Sequence, residues 1–144
     1  MASYPQAPPM TADEVGAFLA TAPIARLASY NADGTIHLAP AWFLYDEGHV
    51  LIGTQRISCK ARNVAAEPQV TVLVDDPEPP FKGVIIYGAA QVDQEDAAAK
   101  RVPIFAKYMP RERAEELAHG LAEQFDPVII RVRSERMISY DYAK

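Results

Sequence analysis

Cysteine is nearly absent from this chain: Cys59 is the only one in 144 residues, so no internal disulfide can form. One cysteine and three scattered histidines (His37, His49, His119) show no zinc-type spacing, so no structural metal is expected. Long apolar runs are missing too, none approaching the roughly 18 residues of a membrane-spanning helix. The opening stretch MASYPQAPPM has neither the basic flank nor the apolar centre of a secretory signal, which makes the cytoplasm the expected compartment. Positive charge is in deficit, with 14 Lys and Arg against 19 Asp and Glu, a net charge of −5. That balance argues against nucleic acid or an anionic membrane as the main partner, because both require a cationic surface. Glycine-rich dinucleotide fingerprints, Walker loops and GxSxG elbows do not occur, so hydrolase and nucleotidase readings lose most of their support.

What is present fits one domain, since 144 residues is close to the ~150 of a typical domain. Residues 1–10 carry Pro5, Pro8 and Pro9 with little to bury and are expected to form a mobile N-terminal arm, leaving 11–144 as the single domain. Thr11 and Glu14 have capping-box spacing, flanked by Met10 and Val15 at the two staple positions, which predicts a helix from Ala12 to Thr21.

From Ile24 onward short apolar runs alternate with turn chemistry. IARLASY, TIHLAPAWFLY and HVLIGT, separated by turns that end in Gly34 and Gly48, read as a three-strand antiparallel meander. Pro40 cannot donate to a ladder, so its strand should lie at an edge or be bulged. Ser58 to Ala66 reads as a short helix capped by Ser58 and stopped before Pro68. QVTVLVDD and GVIIYGAAQV are further strands, the second with a bulge or close approach expected at Gly88. Asp93 is expected to cap a helical stretch over residues 95–124, broken by Pro103 and Pro110 into two or three short helices. The tail PVIIRVRSERMISYDYA reads as two strands with a turn near Ser134 and Glu135. Strands and helices do not alternate, so the pattern favours a mainly β, closed or nearly closed antiparallel barrel with short peripheral helices.

One segment departs from the acidic background. TQRISCKARN, residues 54–63, holds Arg56, Lys60 and Arg62, and no acid occurs between Glu47 and Glu67. A helix start, the Thr54 and Ser58 hydroxyls and these cations are the ingredients of a phosphate site. The residues alone leave open a solvated helix whose cations balance nearby acids. Cys59 has no nearby histidine to act as its base and is expected to be a small buried packing residue.

The order GTIHLAPAWFLYDEGHVLIGTQRISCKARNVAAEPQVTVLVDD, followed by PPFKGVIIYGAAQV, resembles the pyridoxamine 5'-phosphate oxidase-like split β-barrel superfamily of flavin and deazaflavin proteins. A strand with Pro-x-Trp-Phe, a strand ending in threonine, a Ser-x-Lys-x-x-Asn helix start and a valine-rich strand after a proline occur here in that order. The resemblance implies a six- to seven-stranded split barrel that forms a homodimer with FMN or coenzyme F420 in a groove at the interface. It further implies that Pro40, Ala41 and Trp42 line the cofactor's ring system. Thr54, Ser58 and Lys60 would hold its phosphate with Arg56 and Asn63 assisting, and Lys82 would contribute, together with Arg56, along a longer anionic tail. The arginine-rich motifs of the true oxidases are missing. The implied activity is therefore hydride transfer to a small conjugated substrate rather than vitamin B6 oxidation, with no catalytic side chain identified. The alternatives are a non-catalytic flavin- or haem-binding protein of the same fold, or a structural dimer with an empty groove.

Overall fold

A computed structural model describes residues 7–144. Four helices and seven strands follow one another as α1 (Ala12–Thr21), β1 (Ala25–Tyr30), β2 (Ile36–Ala41), β3 (Leu44–Asp46), β4 (His49–Gln55), α2 (Cys59–Ala66), β5 (Gln69–Asp76), β6 (Lys82–Asp93), α3 (Ala97–Ala106), α4 (Arg111–Gln124) and β7 (Pro127–Asp141).

α1 forms where its caps dictate. The Glu14 amide donates to the Thr11 hydroxyl at 3.2 Å, and the Thr11 amide donates back to the Glu14 carboxylate at 2.9 Å. Met10 and Val15 close the staple inside the core. Lys144 Nζ donates to the same carboxylate at 2.6 Å, and this contact with the Thr11 bonds holds the Glu14 pKa down at about 2. The chain before the helix is docked from Ala7 on, contrary to an arm extending to residue 10: Ala7 and Met10 are buried, and the Asp141 amide donates to Pro8 O at 2.9 Å. The rest of that expected arm, residues 1–6, lies outside the described residues.

The strands form one antiparallel sheet in the order β2-β1-β5-β6-β7-β4-β3. The expected meander is half right. β1 and β2 form a hairpin, but the run TIHLAPAWFLY divides at Trp42 and Phe43 into two strands that occupy opposite edges of the sheet. Only two residues separate those edges along the chain, so the sheet must curl until they nearly meet. The result is a split barrel. As Pro40 requires, β2 is an edge strand.

Alternate residues of β4, β5 and β6, among them Val50, Ile52, Val72, Val74, Val84 and Ile86, face inward around the fully buried Phe43. On the outside, α3 and α4 pack on Leu44, Leu51 and Ile129 to form a second, smaller cluster. α3 runs through Pro103 rather than ending there, and Asp96 rather than Asp93 occupies its N-cap. Asp93 instead accepts from Lys100 Nζ at 2.8 Å, which holds its carboxyl below the usual range.

The tail is a single 15-residue strand, β7, not two strands and a turn. The irregularity at Ser134 and Glu135 is a bulge: Tyr87 faces Arg136 and Gly88 faces Ser134, leaving Glu135 without an opposite number. Gly88 is required there because a Cβ would stand 2.3 Å from the Arg133 carbonyl oxygen. Gly88→Ala should therefore lower stability by about 1–3 kcal/mol. Gly120→Ala, in α4 with nothing within 4 Å of the added carbon, should raise it by roughly 0.5–1 kcal/mol. Denaturant midpoints of the two variants check both signs, and equal effects would show that the bulge does not depend on glycine.

Candidate functional site

β4 delivers its last residues to the start of α2. Thr54 is buried at the end of β4, and the chain then turns through Gln55, whose carbonyl accepts from the Ser58 amide at 3.0 Å. Ser58 caps α2, its hydroxyl accepting from the Ala61 amide at 3.2 Å. No acid occupies the first turn of this helix, so its amide dipoles and Lys60 make that end locally positive. Arg56 is less available: its guanidinium lies 3.0 Å from Asp126 and its amide donates to the Asp126 carbonyl. Asn63 is buried, and its amide donates to Ser29 Oγ at 3.2 Å and to Asn31 Oδ1 at 2.9 Å, tying α2 to the β1–β2 hairpin. Cys59 is half-buried rather than buried as expected, because it lines the cleft beside α2, with its thiol 3.5 Å from the same Asn31 oxygen.

Pro40 and Ala41 end the edge strand β2, opposite Arg26 and Ala25. Trp42 follows. It lies beyond the end of the β3–β4 ladder, whose last pair is Leu44 with Leu51. Pro40, Ala41 and Trp42 thus lie at the seam between the two sheet edges, and Thr54, Ser58 and Lys60 at the junction of β4 and α2. Lys82 does not join them within one chain. It pairs with Asp141 while Gln55 pairs with Pro127, at opposite ends of β7. Its ammonium lies over the Phe18 ring instead, 5.5 Å from the centroid, beside a cleft of about 340 Å³ that includes Asp75 and Asp76. Two other clefts, of about 670 and 640 Å³, flank α2, the first including Asn31, Cys59 and Asn63 and the second Arg56, Arg62 and Gln91.

The sequence reading missed the residues that fix Trp42. Tyr108, just beyond α3, stacks on the indole with centroids 4.5 Å apart and planes 14° from parallel, and Phe105 meets it edge-on at 5.8 Å. The Phe43 amide donates to the Tyr108 hydroxyl at 3.0 Å, and that hydroxyl donates to the Pro23 carbonyl at 2.8 Å. Lys107 Nζ donates to the Phe43 carbonyl at 3.2 Å and sits 3.5 Å from the Phe43 ring centroid. The signal was FAKYMP, a lysine and a tyrosine at the end of an apolar helix, but nothing local says which strand they reach. One face of Trp42 is therefore covered, while the residue remains 39% exposed, a rigid aromatic surface at the meeting point of the two sheet edges.

With this geometry in hand, comparison with known proteins is informative. The sequence profile described as pyridoxamine 5'-phosphate oxidase matches residues 11–139. The chain belongs to the pyridoxamine 5'-phosphate oxidase family. Solved structures with the same fold include a conserved hypothetical protein from Mycobacterium tuberculosis, 22% identical with a TM-score of 0.85, the match covering 99% of this chain and 91% of that one. An F420 reductase is 23% identical with a TM-score of 0.66, over 84% of this chain and 93% of its own. HutZ, a haem storage protein from Vibrio cholerae, is 19% identical with a TM-score of 0.72, over 92% of this chain and 98% of its own. No curated protein gives a significant match. Members of this family fold thus serve both redox and haem-handling proteins, and among the described residues here no group of three or more His, Cys, Asp or Glu is placed to hold a metal ion.

The clamp on Trp42 carries a pH signature. Burial pushes the Lys107 pKa down from 10.5 to about 8. Below pH 8 the lysine is protonated whether the chain is folded or not, and the folded state bears the whole cost of burying the charge. As pH rises from 8 towards 10.5 the folded lysine loses its proton first, so stability attributable to this residue increases. The stability of the parent chain relative to Lys107→Met should be flat below pH 8 and climb above it. Tyr108, whose pKa burial raises from 10.0, keeps its proton over most of that window. Urea midpoints between pH 7 and 10.5 test this, and a difference that stays constant throughout would show that Lys107 is not buried as described.

Proposed function

We propose that this family member is a flavin- or deazaflavin-dependent oxidoreductase, using coenzyme F420 or FMN to reduce a small conjugated substrate, and that it works as a homodimer. The observation that carries the reading is the match of residues 11–139 to the family profile, supported by the partly exposed aromatic surface of Trp42 and by the acid-free start of α2 beside Thr54 and Lys60. The donor set suits the group. Edge strand β2 has backbone groups free for the rim of a planar ring, and the amide end of α2 with Thr54, Ser58 and Lys60 suits a phosphate. Lys60 has no ion-pair partner among the described residues, so its charge is available. Bound, such a cofactor supplies two-electron hydride chemistry. The chain's own residues do the rest. Trp42, held by Tyr108, orients the ring, Pro40 and Ala41 set its approach, and Lys60 neutralises the tail.

F420 carries a longer anionic tail than FMN and needs cations beyond the first phosphate. Arg56 is the nearest to hand, released from Asp126. Lys82 reaches such a tail only from a second chain. The missing oxidase arginines and the Ala-Trp-Phe strand favour F420.

The absorption spectrum and mass of whatever copurifies is the first test, and a haem band in place of flavin or deazaflavin absorbance would overturn the reading. Titration of the cofactor-free protein with each cofactor is the second. Lys60→Ala should weaken binding by about 1.5–3 kcal/mol, roughly 10- to 150-fold, with little change in thermal midpoint, because it removes one partner of a charge-assisted contact. Unchanged affinity would remove Lys60 from the site.

The dimer is tested separately. Ile36 and Leu38, each 65% exposed, form an apolar row with Pro40 along edge strand β2, and Tyr30 and Trp42 lie beside it. A stable monomer at micromolar concentration in sedimentation would exclude an interface there, whereas Leu38→Lys in a true interface should shift the protein towards monomer.

A further inference from the structure

α3 buries a charge that no hydrogen bond answers at Nε or Nη1 among the described residues. Arg101 is only 2% exposed, and neither its Nε nor its Nη1 has a hydrogen-bond partner. Its side chain lies over the outer face of β4 at Gly53, where a Cβ would stand 3.0 Å from Arg101 Cγ and 3.2 Å from Nε. Phe105, one turn further along α3, has its ring 5.3 Å from the guanidinium carbon. Asp93 holds Lys100 and lies 4.0 Å from Arg131, Asp126 holds Arg56, and no described acid forms an ion pair with Arg101.

A guanidinium remains charged at any physiological pH. An uncompensated buried charge with unmade hydrogen bonds is among the costliest arrangements a fold can contain. Glycine at position 53 is what makes room for it. A side chain serving only to fill that space between α3 and β4 would be apolar, like Ile104 and Phe105 on the same helix.

We propose that Arg101 binds an oxyanion, a carboxylate or phosphoryl group that comes from outside the chain, beside Gly53 on the outer face of β4. Its source is either a small molecule or an acidic side chain of a second copy; the chemistry at Arg101 is the same. The proposal does not rest on the cofactor reading, since Thr54 faces the opposite side of the strand from Gly53.

Trp42 is the chain's only tryptophan and meets Phe105 edge-on, so its emission reports on the surroundings of the guanidinium. The full chain is titrated with sodium phosphate and separately with sodium acetate, with ionic strength held constant by chloride, while emission and thermal midpoint are followed. A small-molecule oxyanion site gives a saturable emission change and a midpoint raised by about 4 °C at a tenfold excess over the dissociation constant. Both should vanish in Arg101→Met and persist with several-fold weaker affinity in Arg101→Lys. If the second copy supplies the acid, free anions change little, but Arg101→Met weakens self-association at least tenfold in sedimentation. Flat titrations together with unchanged self-association overturn the proposal, and Arg101→Lys replaces Arg101→Met in that comparison if the latter does not fold.

Discussion

The two-residue link between β2 and β3 is the constraint on which the architecture depends. These strands are the two free edges of a seven-stranded sheet, yet only Trp42 and Phe43 lie between them. A flat sheet of that width would hold its edges roughly 29 Å apart, six spacings of about 4.8 Å, and two residues span no more than about 10 Å from one end to the next. The sheet therefore has to roll up. Phe43 turns inward to become one of the largest fully buried side chains, a burial that contributes on the order of 1.5–3 kcal/mol. Trp42, next to it, is forced outward. Core and exposed platform are made by consecutive residues, and neither can move without the other.

Rolling is completed by the longest strands. β6 and β7 pair over most of their length, and a ladder that long coils poorly without an irregularity. The bulge at Glu135, made possible by the missing side chain of Gly88, gives the extra bend. The remaining opening between the sheet edges is bridged by side chains rather than ladder bonds. Tyr108 joins the Phe43 amide to the Pro23 carbonyl, and Lys107 joins the Phe43 and Leu19 carbonyls. These bonds satisfy backbone groups that the split would otherwise leave unpaired near the core.

What the sequence made legible was local. The capping box at Thr11, the Ser58 cap, the edge position of Pro40 and the close approach at Gly88 each follow from the chemistry of a few neighbouring residues, and each is found in the fold. Errors arose where distant pairing decides. Nothing in TIHLAPAWFLY shows that its two halves join different ends of the sheet, because both halves have strand-forming composition and the break between them consists of two aromatics rather than glycine or proline. Ser134 and Glu135 resemble a turn in composition, but β6 runs alongside both and turns them into a bulge. Pro103 lies beyond the first turn of α3, where packing against β4 and β7 outweighs the bond it forfeits. Asp93 stands before the helix in sequence, but its carboxylate is taken by Lys100. At the site, the Thr54–Lys60 segment was visible as a contiguous motif, whereas Lys82 and the Trp42 clamp depend on which ends of long strands coincide.

The residues expected to grip a ligand differ in how far the fold already uses them, and this orders their importance for binding. Ser58 spends its hydroxyl on the start of α2, and Asn63 spends both amide hydrogens on the β1–β2 hairpin. Arg56 is shared with Asp126. Each of these can still meet a ligand through a remaining lone pair or by exchanging partners, but binding then competes with a contact that stabilises the folded chain, and the net gain is the difference between the two. Lys60 has no such partner among the described residues, and the first turn of α2 holds no acidic side chain. Affinity for an anionic tail should consequently be concentrated in one lysine and a helix end. The surrounding polar residues fix the position of that end, so under the proposed function changes at Ser58 or Asn63 would act on a ligand through the placement of α2.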